Sequence, residues 1–178
     1  MSIYTKKGDG GETGLYSRTK DKTVRISKDS VRIGAIGSVD EANSFLGICA
    51  DCPNNFLHKK IVIIQRVLFT VGGILAGAKL SISKKQIEYL EKEIDSMDTK
   101  LQKLSGFILP GGGFTGSHLF MARTLIRKAE RQLVRLSKQE KISGNVLVYI
   151  NRLSDYVYTL ARYSNLKEGI KEESWKHK

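Results

Sequence analysis

Apolar side chains recur at three- and four-residue steps along most of this chain, which is the helical period. Ile61, Ile64, Leu68, Val71 and Leu75 form one such face, and Leu119, Ala122, Ile126, Ala129, Leu133 and Leu136 form a longer one. Ile150, Leu153, Val157 and Leu160 mark a further helix over about 146–162. Ile87, Leu90 and Ile94 follow Ser83 and Gln86, whose spacing lets hydroxyl and carboxamide satisfy free N–H groups reciprocally at a helix start. The same logic at Ser38-Val39-Asp40-Glu41 predicts that the first helix opens there, with Val39, Ala42, Leu46 and Cys49 as its apolar face. No strand alternation and no internal repeat stand out. The expected fold is all-α, a five-helix bundle in one domain spanning 1–178.

Three segments fall outside the helical patterns. Residues 1–33 read as a loop segment, with Gly8, Gly10, Gly11 and Gly14 close together. Residues 107–116 contain Leu-Pro-Gly-Gly-Gly, which cannot continue a helix and leaves N–H groups open at the start of the next one. Residues 165–178 form a charged tail with the lone Trp175, to which the sequence assigns no role.

Composition narrows the function classes. The chain has 178 residues, and its 30 Lys and Arg against 18 Asp and Glu give a net charge of +12. That excess fits either a solvated basic surface or an anionic partner such as a phosphorylated small molecule or nucleic acid. The apolar stretch 61–78 is interrupted by Gln65 and Arg66, so no membrane span is expected. No targeting segment stands out, and a cytoplasmic protein is expected. Cys49 and Cys52 supply half a zinc site with no second pair to complete it, and read as reduced thiols. His58, His118 and His177 fall into no Cys/His or Ser/His/Asp arrangement.

Two constellations suggest phosphate chemistry. Thr5-Lys6-Lys7-Gly8-Asp9-Gly10-Gly11-Glu12-Thr13-Gly14 combines glycines that admit close backbone approach with lysine charge and threonine hydroxyls. It is not a Walker loop, and a flexible terminus is the structural alternative. Arg123, Arg127 and Arg131 stand at i, i+4 and i+8 on one helix face, a row of planar donors suited to a triphosphate or else a solvated basic stripe. Asn151 and Asp155 share a face of the last helix, as ligand contacts or as an inter-helix polar network.

Taken together, four blocks resemble the ATP:cob(I)alamin adenosyltransferases of the propanediol-utilisation type. They are Tyr4-Thr5-Lys6-Lys7-Gly8-Asp9 with Thr13; Gly37-Ser38-Val39-Asp40-Glu41-Ala42-Asn43-Ser44 with Gly47; Phe107-Ile108-Leu109-Pro110-Gly111-Gly112 leading through Ala122-Arg123-Thr124 to Arg127-Lys128-Ala129-Glu130-Arg131; and Tyr149-Ile150-Asn151-Arg152-Leu153-Ser154-Asp155. The resemblance implies transfer of the 5′-deoxyadenosyl group of ATP to the cobalt of a reduced corrinoid. It also implies magnesium and a homotrimer of helical bundles with active sites between subunits. By matching position, Thr5, Lys6, Lys7, Gly8, Thr13, Gly14 and Lys28 would cradle the triphosphate. Arg127, with Lys128 and Arg131 beside it, would bind phosphate oxygens, while Glu130 and Asn151 would fix nucleotide and metal. Arg123 would pair with Asp40 of a neighbouring subunit, and Phe107 would press on the corrinoid's lower face and displace its axial ligand. A reductase and an adenosylcobalamin-dependent acceptor enzyme are implied partners.

Three positions depart from the family pattern: Lys7 replaces a threonine, Lys128 replaces the second arginine of a pair, and Phe120 stands where the family has histidine, with His118 two positions too early to substitute. Two rival functions make separate predictions. A polyanion-binding helical module predicts salt-sensitive binding without ATP, and a non-catalytic nucleotide sensor or corrinoid chaperone predicts binding without product.

Overall fold

A computed structural model describes residues 4–16 and 23–175 of the chain. Five helices carry the fold: α1 (Val31–Ala50), α2 (Asn55–Leu75), α3 (Lys84–Asp98), α4 (Phe114–Ser137) and α5 (Gly144–Lys167). Helix α4 packs on both α1 and α5, α2 covers the other side of α1, and α3 lies against α5. One contiguous core runs through all five, with Leu46, Ile64, Leu90, Leu119, Leu133 and Tyr156 among its fully buried members. Each such leucine removed from water contributes about 1.5–3 kcal/mol. The helical faces expected from the periodicity are the buried ones, from Ile61 through Leu75 on α2 and from Leu119 through Leu136 on α4. Among the described residues, no helix is long and apolar enough to cross a membrane.

The ends of the helices are set by local chemistry. At α3 the Ser83 hydroxyl accepts from the Gln86 N–H, and the Gln86 side chain accepts from the Ser83 N–H at 2.8 Å, the expected reciprocal box. The Asn54 side chain caps α2 through the Phe56 and Leu57 N–H groups. The first helix does not open at Ser38. It starts eight residues earlier, where the Ser30 hydroxyl accepts from the Ile33 N–H at 3.3 Å. Ser38 lies inside the helix and donates to the Gly34 carbonyl oxygen at 3.0 Å, while Glu41 reaches across to Lys128.

The segment 1–33 is likewise not all loop. Strands β1 (Glu12–Tyr16) and β2 (Thr23–Ser27) form an antiparallel ladder with Thr13 opposite Ile26 and Leu15 opposite Val24. Only Leu15 of β1 is buried, and the polar-apolar alternation of β2, Thr-Val-Arg-Ile-Ser, spans just five residues, too short a run to stand out. The Tyr16 N–H donates to the Ala76 carbonyl oxygen at 2.8 Å, docking the ribbon on the end of α2. Gly77, at φ 98, is required there, because a β-carbon would run into the Tyr16 carbonyl.

The tail is also structured in part. Helix α5 continues to Lys167, and the following residues return along the α3–α4 connection. There Ile108 and Ser174 form an antiparallel bridge, the Leu109 N–H donates to the Glu173 oxygen, and the Trp175 N–H donates to the Phe107 oxygen, both at 2.8 Å. His177 and the last residues of the tail lie outside the described residues.

Candidate functional site

The glycine-rich segment is folded into a defined turn above β2. Lys6 has φ 58, alone among the described non-glycine residues in the left-handed region, which is a costly conformation that clusters at ligand-binding loops. The Gly11 N–H donates to the Gly8 oxygen and the Lys28 N–H to the Gly11 oxygen. Two cationic side chains hold the loop from below: the Lys28 ammonium donates to the Gly8 oxygen at 2.8 Å, and the Arg25 guanidinium donates to the Lys7 oxygen at 2.6 Å while pairing with Glu12. Thr5, Lys6 and Lys7 are left exposed above this frame. The loop therefore gathers ammonium groups, hydroxyls and backbone N–H groups at one place, the donor set an oligophosphate needs.

Below the loop is a cavity of about 630 Å³ between the ribbon, α1 and α2. Thr13, Gly14, Lys28 and Asp40 stand on its wall, with Ile36 and Phe69 among its apolar members. Phe69 is 76% exposed, so an aromatic face is offered to whatever enters. Asn43 also lines the cavity. It is 7% exposed, and its Oδ1 has no hydrogen-bond partner among the described residues, an acceptor whose burial is uncompensated until a donor arrives. Sequence reasoning placed Asn43 in a motif without giving it a task; the signal was a carboxamide on the same face as Val39, Ala42 and Leu46.

The arginine stripe lies elsewhere. None of Arg127, Glu130, Asn151 or Phe107 is on the cavity wall. The three arginines also differ from one another. Arg123 sits over the Tyr158 ring at 5.3 Å, Arg131 folds back to donate to the Arg127 carbonyl oxygen at 3.2 Å, and the exposed Arg127 guanidinium makes no bond among the described residues. Lys128 is not part of that open face, since its ammonium pairs with Glu41 at 2.6 Å. The Asn151 amide donates to Glu130 Oε1 at 2.8 Å across the α4–α5 contact, which fixes both side chains. Asp155 is spoken for by Arg152 at 3.1 Å, as an inter-helix network that also includes Glu91. Asp40, exposed on α1, has no partner among the described residues.

Phe107 is 78% exposed and meets Trp175 edge-on at 6.5 Å between ring centroids. The remaining singled-out side chains have structural employment. The His118 ring lies between Phe45 and Phe114, and His58 Nδ1 is 2.8 Å from the Ala50 oxygen. Burial, opposed by a backbone hydrogen bond and reinforced by Cys52, pushes the Cys49 thiol up to about 12. Neither cysteine is in a disulfide.

Known proteins share this arrangement throughout its length. The corrinoid adenosyltransferase of Bacillus subtilis is 40% identical over 179 residues, covering 96% of this chain and 90% of that protein. The corrinoid adenosyltransferase PduO of Citrobacter freundii is 39% identical over 170 residues, and the match spans 49% of that longer protein. Among solved structures, a phenylalanine-to-alanine variant of the PduO-type ATP:corrinoid adenosyltransferase from Lactobacillus reuteri, complexed with cobalamin and ATP, superposes with a TM-score of 0.93 at 34% identity, covering 99% of this chain and all of that one. An arginine-to-lysine variant of the same enzyme, complexed with ATP, gives 0.90 at 36% identity over 98% of this chain. The sequence model of the cobalamin adenosyltransferase family matches residues 3–164, and the chain belongs to that family.

Proposed function

We propose that this enzyme carries the 5′-deoxyadenosyl group of ATP onto the cobalt of a reduced corrinoid, with the triphosphate held by the loop of Thr5, Lys6, Lys7, Gly8, Thr13, Gly14 and Lys28. The observation that carries the reading is the pairing of that cationic loop, strapped down by Lys28 and Arg25, with an apolar cavity of about 630 Å³ directly beneath it. One end suits a polyanion and the other an uncharged planar body.

Cobalt(I) of the substrate is the nucleophile: the cobalt–carbon bond forms as the bond from C5′ to its oxygen breaks, and the electron pair leaves with triphosphate. No side-chain nucleophile is needed, so the protein's work is orientation and charge stabilisation. Negative charge grows on the leaving oxygen, where preorganised lysines, loop N–H groups and Arg127 stabilise it more in the transition state than in the ground state. Glu130 and Asn151 each retain an oxygen without a hydrogen bond among the described residues, hard donors that would hold a magnesium ion. When bound, magnesium would neutralise part of the triphosphate charge. Exposed Phe107 supplies an apolar surface for the lower face of the corrinoid, keeping an axial ligand off cobalt.

Arg127 is not on the wall of the loop-covered cavity of its own chain, which supports active sites completed between copies, three in the assembly that the family resemblance implies. Exposed Asp40 on the cavity wall and Arg123 on the other face are the complementary charges of that contact. We place the enzyme, one domain, in the cytoplasm, where its thiols stay reduced, fed by a reductase and followed by an adenosylcobalamin-dependent acceptor. The test supplies ATP, magnesium and chemically reduced cobalamin and follows the light-sensitive cobalt–carbon absorbance. Binding of both substrates without that absorbance would favour a chaperone or sensor, and ATP-independent binding that collapses with salt would favour a polyanion module.

A further inference from the structure

The segment bearing Phe107 has no secondary structure of its own, yet it is gripped at three places from one direction. Arg162, on the last turns of α5 and 5% exposed, donates through Nη2 to the Gln102 carbonyl oxygen at 2.8 Å where the segment begins. Asn165, 1% exposed, donates to the Gly111 oxygen at 2.9 Å and accepts from the Gly113 N–H at 3.2 Å where it ends. Between them, residues 173–175 pair with 107–109 through the two 2.8 Å backbone bonds, and Trp175 meets the Phe107 ring. That strap is tied back to the same helix, because the Arg162 fork holds Glu172 through both oxygens, at 2.8 and 2.9 Å.

The three glycines fit this grip. Gly112 has φ 121, and a β-carbon at Gly112 or Gly116 would overlap the Asn165 carboxamide, while one at Gly113 would overlap the Glu168 carboxylate. The backbone is thus packed directly on α5. Burial alone would lower the affinity of Arg162 for its proton, but the hydrogen bonds and charge of Glu172 outweigh it, so the fork stays charged. A structural lock of this quality under an exposed ring calls for an explanation, since Phe107 itself buries little and gains nothing for the core.

We infer that Arg162, Asn165 and the strap residue Glu172 are positioning residues that set the height and tilt of Phe107 against the corrinoid's lower face. The inference rests on Phe107 meeting the corrinoid. It makes the C-terminal turn of α5, and the tail beyond it, part of the apparatus that removes the axial ligand.

The test uses the assembled enzyme with ATP, magnesium and cob(II)alamin, and reads four-coordinate cobalt(II) by electron paramagnetic resonance alongside the kinetics of Phe107→Ala, Asn165→Ala and Glu172→Ala. Asn165→Ala and Glu172→Ala are expected to lower the four-coordinate fraction and to cut kcat by about tenfold to 100-fold, the cost of an ångström-scale misplacement, with the KM for ATP within about twofold of the parent. The melting temperature of each variant is read alongside, and Glu172→Gln, which keeps a hydrogen-bonding oxygen on Arg162, separates loss of positioning from loss of the fold. A Glu172→Ala enzyme with the parent's cobalt(II) spectrum and kcat, while Phe107→Ala loses both, would overturn the positioning role. A parent spectrum in Phe107→Ala would instead overturn the underlying placement of Phe107.

Discussion

The Lys28 ammonium donates to the Gly8 carbonyl oxygen at 2.8 Å, and a methyl group at Gly8 would come within 3.2 Å of that nitrogen. Lys28 thus braces the loop and belongs to the donor set proposed to hold the triphosphate. Lys28→Ala removes a charge-assisted bond worth about 1.5–3 kcal/mol, so the KM for ATP is expected to rise roughly tenfold or more, with a much smaller change in kcat. Gly8→Ala displaces only the far end of a flexible side chain and is expected to be milder. Titration calorimetry with ATP ranks the two, and an ATP affinity equal in parent and Lys28→Ala would reject the phosphate role.

The exposed Arg127 guanidinium bonds to nothing among the described residues, so its removal leaves no orphan inside the protein. Arg127→Ala should therefore retain the melting temperature while losing about 10²–10³ in kcat, the usual effect of deleting one preorganised donor at developing charge. Arg127→Lys keeps the charge but not the planar fork and is expected to fall between. Near-parent turnover in the alanine variant would show that phosphate is stabilised by other groups.

How far the sequence foretold these features depends on how local each one is. The box at Ser83 and Gln86 was legible because both partners lie within one turn. The start of α1 was misjudged because Ser38 and Glu41 have box spacing but are spent on Gly34 and Lys128, and the second of those partners is 87 residues away. The ribbon is hard to read from sequence because each strand is five residues long, so the alternation of Val24 and Ile26 with polar neighbours is brief, and its docking bond to Ala76 is a tertiary contact. The tail's pairing depends on Arg162 and Glu172, an ordinary charge pair until α5 is seen to end beneath residue 107. The motif blocks named the loop, the stripe and Phe107 separately. That they are completed between copies is implied by the family resemblance alone, since a second copy leaves no periodicity in the sequence.

Cys49 provides a prediction in pH. Its thiol, ordinarily near 9.0, is pushed up to about 12, chiefly by burial. A raised value means the folded chain holds its proton longer than the unfolded chain does, so the contribution is complete below pH 9.0, and it is lost as pH climbs toward about 12. Urea melts at about pH 8 and about pH 10.5 should show stability falling on the alkaline side, and falling less in Cys49→Ala. Buried Tyr149 and Tyr156, also raised by burial, keep part of the slope in that variant. Alkylation at neutral pH should label half-buried Cys52 and spare Cys49.

Asp40 and Arg123 test the proposed contact between copies. Each is a charge without an ion-pair partner among the described residues: Asp40 is exposed on the cavity wall, and Arg123 leans on the Tyr158 ring at 5.3 Å. Within a folded chain neither would be missed, so Asp40→Asn and Arg123→Ala should change the melting temperature of a dissociated chain little. Across an interface, stripping one partner leaves the other buried and unpaired, at a cost of about 2–5 kcal/mol. Sedimentation should then show dissociation at concentrations where the parent is assembled, with activity lost in parallel because each active site loses half its wall. The charge swap Asp40→Arg with Arg123→Asp restores the pair in reversed order and should recover assembly that either single reversal destroys. A swap no better than the single reversals, or a fully active assembly in Asp40→Asn, would mean that these two side chains do not meet and that the faces join in another register.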